Sequence, residues 1–177
     1  VLFFGEGGTV VWLTARKHPG ETQAGGWMEG MLDLMPAPAS AVARELRRRC
    51  TFHVVPNCNP DGSRRGSLRT NAVGVNLNRE WESPSADKSP EVLAIRNTMD
   101  ATGGDFAMDV HGDEAIPACF LAGYEGIPGL SPEHLERFTR YRAILARRTP
   151  DFQQARGYPV SAPGKANMTM CTTQVAH

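Results

Sequence analysis

The sequence predicts an α/β protein built on a mostly parallel sheet. Two observations carry this. A short apolar run rich in β-branched residues at 10–15 suits a strand buried on both faces, and 51–56 and 105–110 read as further strands. Between them lie segments of helical period, so the order is strand, helix, helix, strand, helix, strand, the alternation of a parallel sheet with crossover helices.

The first strand is the almost continuous apolar run 10–15. From 21 to 35 the period changes. Ala24, Met28, Met31, Leu32 and Met35 recur at helical spacing, the methionines reading as core packing, and Pro36 and Pro38 end the run. Ser40 can cap a second helix, which carries Val42, Leu46 and a solvated face of Arg44, Arg47, Arg48 and Arg49 and ends near Cys50. Residues 51–56 form the second strand. Residues 57–81 are polar, rich in glycine, asparagine and arginine and without clear period; so long an irregular stretch inside a domain points to function.

Ser89-Pro90-Glu91 starts a helix with proline in its first turn; Val92, Leu93, Ile95 and Met99 follow, and Gly103-Gly104 stop it. Residues 105–110 are a third strand and 118–122 a fourth. Ser131-Pro132-Glu133 opens a helix through Leu135, Phe138, Tyr141, Ile144 and Leu145. Past Pro150 the chain reads as loop, and the threonine-rich run 169–175 suggests the beginning of a further strand.

A chain of 177 residues is one domain or most of one. Lysine plus arginine equals aspartate plus glutamate, 19 each, so no basic excess points to nucleic acid. No apolar stretch is long enough to span a bilayer. Cys50, Cys58, Cys119 and Cys171 are widely spaced with no C-x-x-C, which suits reduced thiols in a cytoplasmic protein. The start, Val1-Leu2-Phe3-Phe4-Gly5, lacks an initiator methionine and the charged region of a signal peptide, so the chain is expected to be processed or a piece of something longer.

The chemistry gathers at strand ends. His18 and Glu21 flank Pro19-Gly20, a dipeptide that bends chains, so both can turn to one point. Imidazole nitrogen and carboxylate oxygen suit Zn²⁺, and a catalytic zinc takes three protein ligands and keeps one position open. His111 is the candidate third ligand, giving one zinc per chain. In open α/β sheets ligands bind beyond the carboxyl ends of strands; His18 follows the first strand, the arginine- and asparagine-rich loop the second, and His111 the third. His53 lies within a strand, His134 near a helix start, and His177 is the last residue. Zinc with an open position suits hydrolysis of an amide or ester. Such a reaction also needs a cation for the oxyanion and a grip on the substrate; Arg64, Arg65, Arg69 and Arg79 are available, and arginine clasps carboxylates with two prongs.

His18-Pro-Gly-Glu21, Asn59-Pro-Asp-Gly62, Arg69, Gly74-Val-Asn-Leu-Asn-Arg79 and Asp109-Val-His-Gly112 together resemble the signature set of zinc metallocarboxypeptidases. The H-P-G-E spelling, the run N-P-D-G-x-x-R-G-x-x-R-x-x-x-x-G-x-x-L-N-R and the P-G-K-A-N around Lys165 are similar to the cytosolic carboxypeptidase subfamily in its bacterial form. The resemblance implies a three-layer α/β/α sandwich around a twisted, mostly parallel mixed sheet. It implies His18, Glu21 and His111 as zinc ligands, Arg69 as the group that polarises the scissile carbonyl, and Asn78 with Arg79 as the pair that binds a free C-terminal carboxylate. The substrate is then a peptide or protein C-terminal tail. Residues 1–177 would form an incomplete catalytic domain, with the subfamily's N-terminal β-sandwich domain and its general-base glutamate strand outside them. Glu114 does not occupy the base's sequence context and reads as a pocket-edge or structural residue. Two other functions remain open: a zinc deacylase of N-acyl amino acids, which the long N-P-D-G segment disfavours, and a non-catalytic zinc- and peptide-binding module.

Overall fold

A computed structural model describes all 177 residues, which divide into two compact units, Val1–Gly112 and Asp113–His177. The first unit holds a four-stranded mixed sheet of β1 (Leu2–Gly5), β2 (Thr9–Ala15), β3 (Cys50–Val55) and β4 (Phe106–Val110), in the order β1-β3-β2-β4. β2 pairs in parallel with both β3 and β4, while β1 runs antiparallel to β3. The mixed α/β class expected from the sequence is therefore the one observed. β2 is interior, flanked on both edges, and its residues from Val11 to Ala15 are all buried.

Side chains alternate across β2. Val11, Leu13 and Ala15, with Phe52 and Val54 of β3, meet Ala24 and Met28 of α1 (Thr22–Leu34), Met35 that caps its C-terminus, and Ala43 of α2 (Ala41–Arg49). Met28 and Met35 are core residues, as their period predicts. Ser40 caps α2, its hydroxyl accepting the Ala43 N–H at 3.2 Å. On the opposite face Trp12 stacks on His53, ring centroids 4.5 Å apart, and donates to the Gly103 carbonyl that closes α4 (Pro90–Thr102). Helices thus accompany both faces, as a parallel sheet buried on both sides requires.

Two features of this unit differ from expectation. β1 was not anticipated, because Leu2 and Phe3 are exposed and a short edge strand carries little burial pattern. The segment 57–81 is not wholly irregular: it contains α3 (Pro60–Arg65) and a 3₁₀ turn at Leu77–Arg79. Asn59 caps α3 by accepting the Gly62 N–H at 3.0 Å, Pro60 occupies the first turn, and Gly66 ends it with φ 72°.

In the second unit α5 (Pro132–Arg148) begins at Ser131, whose hydroxyl accepts the His134 N–H, and Tyr124 packs against Phe138. Two expectations fail here. Residues 118–122 are not a strand: a single parallel bridge joins Cys119 to Phe152. None of the five is buried, so the apolar run has no sheet to enter. The run 169–175 turns into a helix instead, α6 (Cys171–Ala176). Its Thr173 hydroxyl bonds back to the Met170 carbonyl at 3.1 Å, a local bond that substitutes for a strand's neighbours. No helix is long and apolar enough to cross a membrane.

Candidate metal centre

Beyond β2 the chain leaves the sheet through Arg16, whose φ of 59° turns it sharply; the Arg16 guanidinium ties the turn down by donating to the Pro19 carbonyl at 2.7 Å. Gly20 then passes against the 57–81 segment. Its N–H donates to the Leu68 carbonyl at 2.8 Å, and a Cβ at this position would lie 2.9 Å from that same oxygen. Gly62 is equally confined, its would-be Cβ 2.6 Å from the Thr70 carbonyl and 2.8 Å from Pro19. The glycines of H-P-G-E and N-P-D-G are therefore where the two motifs interlock.

This turn directs His18 and Glu21, both buried, toward His111 at the end of β4. Nδ1 of His18 lies 2.6 Å from Glu21 Oε1, and Nδ1 of His111 lies 2.7 Å from Glu21 Oε2. The ligand atoms of all three residues fall within 4.8 Å of one another. The far nitrogens are committed elsewhere. His18 Nε2 meets Asn76 Oδ1 at 3.0 Å and His111 Nε2 meets Asp109 Oδ2 at 2.8 Å. Asn76 Oδ1 also accepts the Asn78 N–H at 3.0 Å, which identifies it as the oxygen. With each Nε2 turned to an oxygen acceptor, each Nδ1 is the nitrogen turned to the Glu21 carboxylate. Contacts this short between a ring nitrogen and a carboxylate are bridged by a proton or by a shared cation. Two imidazole nitrogens and one carboxylate, each ring oriented through its other nitrogen, form a donor set that fits zinc.

The electrostatics of the donors agree. Burial pushes the Glu21 carboxyl up, but its hydrogen bonds with His111 and His18 outweigh this and hold it down at about 2. Burial pulls His111 down, but the Asp109 charge and the hydrogen bonds to Asp109 and Glu21 raise it to about 9. Asp109 itself is pushed up by burial yet held far below the carboxylate range by Lys17 and His111.

The other residues expected at the site lie on the 57–81 segment. Arg69 brings Nη1 to 3.7 Å from Glu21 Oε1 with about half of its side chain exposed (52%). Asn78 is buried in the 3₁₀ turn; Arg79 beside it is exposed and donates to the Asn78 carbonyl at 2.7 Å. Arg65 is spent on the loop itself, donating to the Ala72 carbonyl. Glu114 is an exposed residue of the second unit. His53 is in the sheet against Trp12, away from this cluster. Asn76 and Asp109 had no role assigned from sequence, although both stand inside the motifs. The only signal they give is their spacing, two residues before Asn78 and two before His111.

Comparison with known proteins is consistent with this chemistry. The zinc carboxypeptidase family model matches residues 5–120. A Zymomonas mobilis protein of uncharacterised function is 57% identical over 176 residues, covering 99% of this chain and 46% of its own length. Cytosolic carboxypeptidase 6 of Caenorhabditis elegans is 32% identical over 149 residues, 81% of this chain and 32% of that protein. The crystal structure of a Pseudomonas aeruginosa metallo-carboxypeptidase in complex with (2-guanidinoethylmercapto)succinic acid superposes with a TM-score of 0.92 at 42% identity. That match covers 96% of this chain and 45% of that one. The chain thus spans less than half the length of these relatives. With the match over residues 5–120, it belongs to the zinc carboxypeptidase family.

Proposed function

We propose that this chain carries the metal centre and substrate clasp of a cytoplasmic zinc metallocarboxypeptidase that removes C-terminal residues from peptides or protein tails. The observation that carries this reading is the pair of imidazoles, each held through Nε2, turning Nδ1 toward the one carboxylate of Glu21. His18, Glu21 and His111 hold one zinc per chain. Bound there, zinc supplies an electrophile for the scissile carbonyl and lowers the pKa of a coordinated water. Arg69, beside Glu21 and about half exposed, offers its guanidinium to the carbonyl oxygen and to the negative charge that grows there.

Asn78 and Arg79 hold the free carboxylate of the terminal residue, Arg79 with the planar fork that an ammonium lacks. The 3₁₀ turn supports this pairing, since Asn76 at its start touches His18 and Arg79 ends it, three residues away. The exopeptidase reading is also supported by the carboxylic acid bound to the Pseudomonas relative. The cytoplasmic assignment rests on the relatives' naming and on cysteines that stand as thiols rather than disulfides.

The test compares peptides that differ only at the C-terminus, using the full-length protein. Free-acid peptides are expected to be shortened from the end and their C-terminally amidated counterparts left intact. Arg79→Lys should lose most of the discrimination. Equal processing of both peptide forms would refute the exopeptidase reading and favour the deacylase or binding alternatives.

A further inference from the structure

Lys17, next to His18 in sequence, is wholly buried. Its ammonium donates to Thr14 Oγ1 at 2.8 Å and to Asp109 Oδ1 at 2.5 Å, and the Trp81 ring covers it with the centroid 4.8 Å away. An ammonium taken out of water is costly unless it is paired, and an apolar residue would fill the same space without that cost. What the charge does is visible in its partner. Asp109 uses Oδ1 for Lys17 and for the Thr14 hydroxyl at 3.0 Å, and Oδ2 for His111 Nε2 at 2.8 Å. Both carboxylate oxygens are engaged, so Asp109 cannot rotate without breaking a bond on the Lys17 side. The backbone of Lys17 is fixed as well, its carbonyl accepting from Asn59 Nδ2 at 3.0 Å. One residue is therefore joined to both histidines of the cluster, by a peptide bond to His18 and through Asp109 to His111.

We infer that Lys17 is a positioning residue for the metal donors: its buried ammonium clamps Asp109, and Asp109 in turn holds His111 with Nδ1 turned toward Glu21. This rests on the proposed zinc reading of His18, Glu21 and His111. The Lys17 ammonium is bonded to Asp109, so its hold on His111 runs through the Asp109 carboxylate. Thr14 belongs to the same device, since its hydroxyl accepts from Lys17 and donates to Asp109.

The test is zinc affinity, measured by competition with a chelating dye on the full-length protein, alongside thermal melting of the zinc-free form. Lys17→Met, close in length but uncharged, should weaken zinc binding by about tenfold or more, the range seen when outer partners of a ligand are changed. Thr14→Val, which keeps the shape and removes the hydroxyl, should cost a few-fold on the same scale. The decisive comparison is Lys17→Met in an Asp109→Asn background, where no further loss is expected because the route to His111 is already cut. A packing role would instead give the same loss in both backgrounds, and that result overturns the inference, as does unchanged affinity in Lys17→Met. Should Lys17→Met fail to fold, the same cycle with Thr14→Val decides. His18→Ala separates the two levels: zinc retained there would refute the donor assignment itself rather than the role of Lys17.

Discussion

The two histidines of the cluster are held in unlike ways. His18 leaves β2 through a tight turn, keeps 3% of its side chain exposed, and rests Nε2 on the neutral amide of Asn76. His111 follows β4, is 26% exposed, and rests Nε2 on the buried carboxylate of Asp109. A neutral acceptor orients a ring; a charged one also makes the ring a more basic donor. Asp109, with Glu21, accordingly raises His111 to about 9 against the downward pull of burial. The cluster therefore pairs a ring placed mainly by burial with one placed mainly by charge.

The bluntest way to break this comparison is to remove each ring. His18→Ala and His111→Ala should each weaken zinc binding by more than ~100-fold, beyond what outer-partner changes cause, while His53→Ala and His134→Ala leave loading intact. His18→Ala should also destabilise the zinc-free fold more, because it empties a closed site whereas His111 already meets solvent. Zinc content by mass spectrometry and chemical denaturation read the two effects separately.

Changing the acceptors sharpens the contrast. Asp109→Asn should weaken zinc by about 10–100-fold and destabilise the fold by roughly 3–5 kcal/mol, since it removes the carboxylate of a buried ion pair with Lys17. Asn76→Ala should cost less on both counts, about tenfold in zinc affinity, because it breaks no buried ion pair. Equal effects from the two substitutions would erase the distinction between the rings.

The pH dependence of the zinc-free protein follows from the same asymmetry. His111 has its folded value raised from 6.5 to about 9, so its contribution to stability is full below 6.5 and is lost as pH rises through about 9. Glu21 has its value lowered from 4.5 to about 2, so its contribution is present above 4.5 and disappears as pH falls toward 2. Denaturation midpoints should accordingly be highest between 4.5 and 6.5 as far as these two groups decide it. Zinc entry must displace the His111 proton, so affinity should climb with pH up to about 9 and flatten beyond it. A flat profile from neutral pH upward would show that Asp109 does not tune the ring.

The smallest effect belongs to a control remote from the site. Ser40→Ala removes the cap of α2 and should cost about 1 kcal/mol of stability. Zinc affinity should not change, which separates loss of fold from loss of metal in the other variants.

What the residues determine by themselves here is local. The apolar runs of β2 and β3 are buried strands wherever they pair, and Met28 and Met35 fall on one helical face. Ser40, Ser131 and Pro132 mark helix starts through bonds within one turn. H-P-G-E announces a bend with a donor on each side, and the residue types alone point to zinc. Where a segment's state depends on a neighbour across space, the sequence misleads. The apolar residues 118–122 were expected as a strand, but Cys119 finds only one bridge partner in Phe152. The expected strand at 169–175 gives way to the helix Cys171–Ala176.

The tertiary structure alone decides which groups meet. Glu21 and His111 are 90 positions apart, His18 and Asn76 58, and Lys17 and Asp109 92. No local propensity encodes those bonds, because each depends on which strands lie side by side. The parallel pairing of β2 with β4 sets Thr14 opposite Asp109 in the register. With that pairing and the turn at Arg16, Lys17 comes to face the carboxylate that bonds His111.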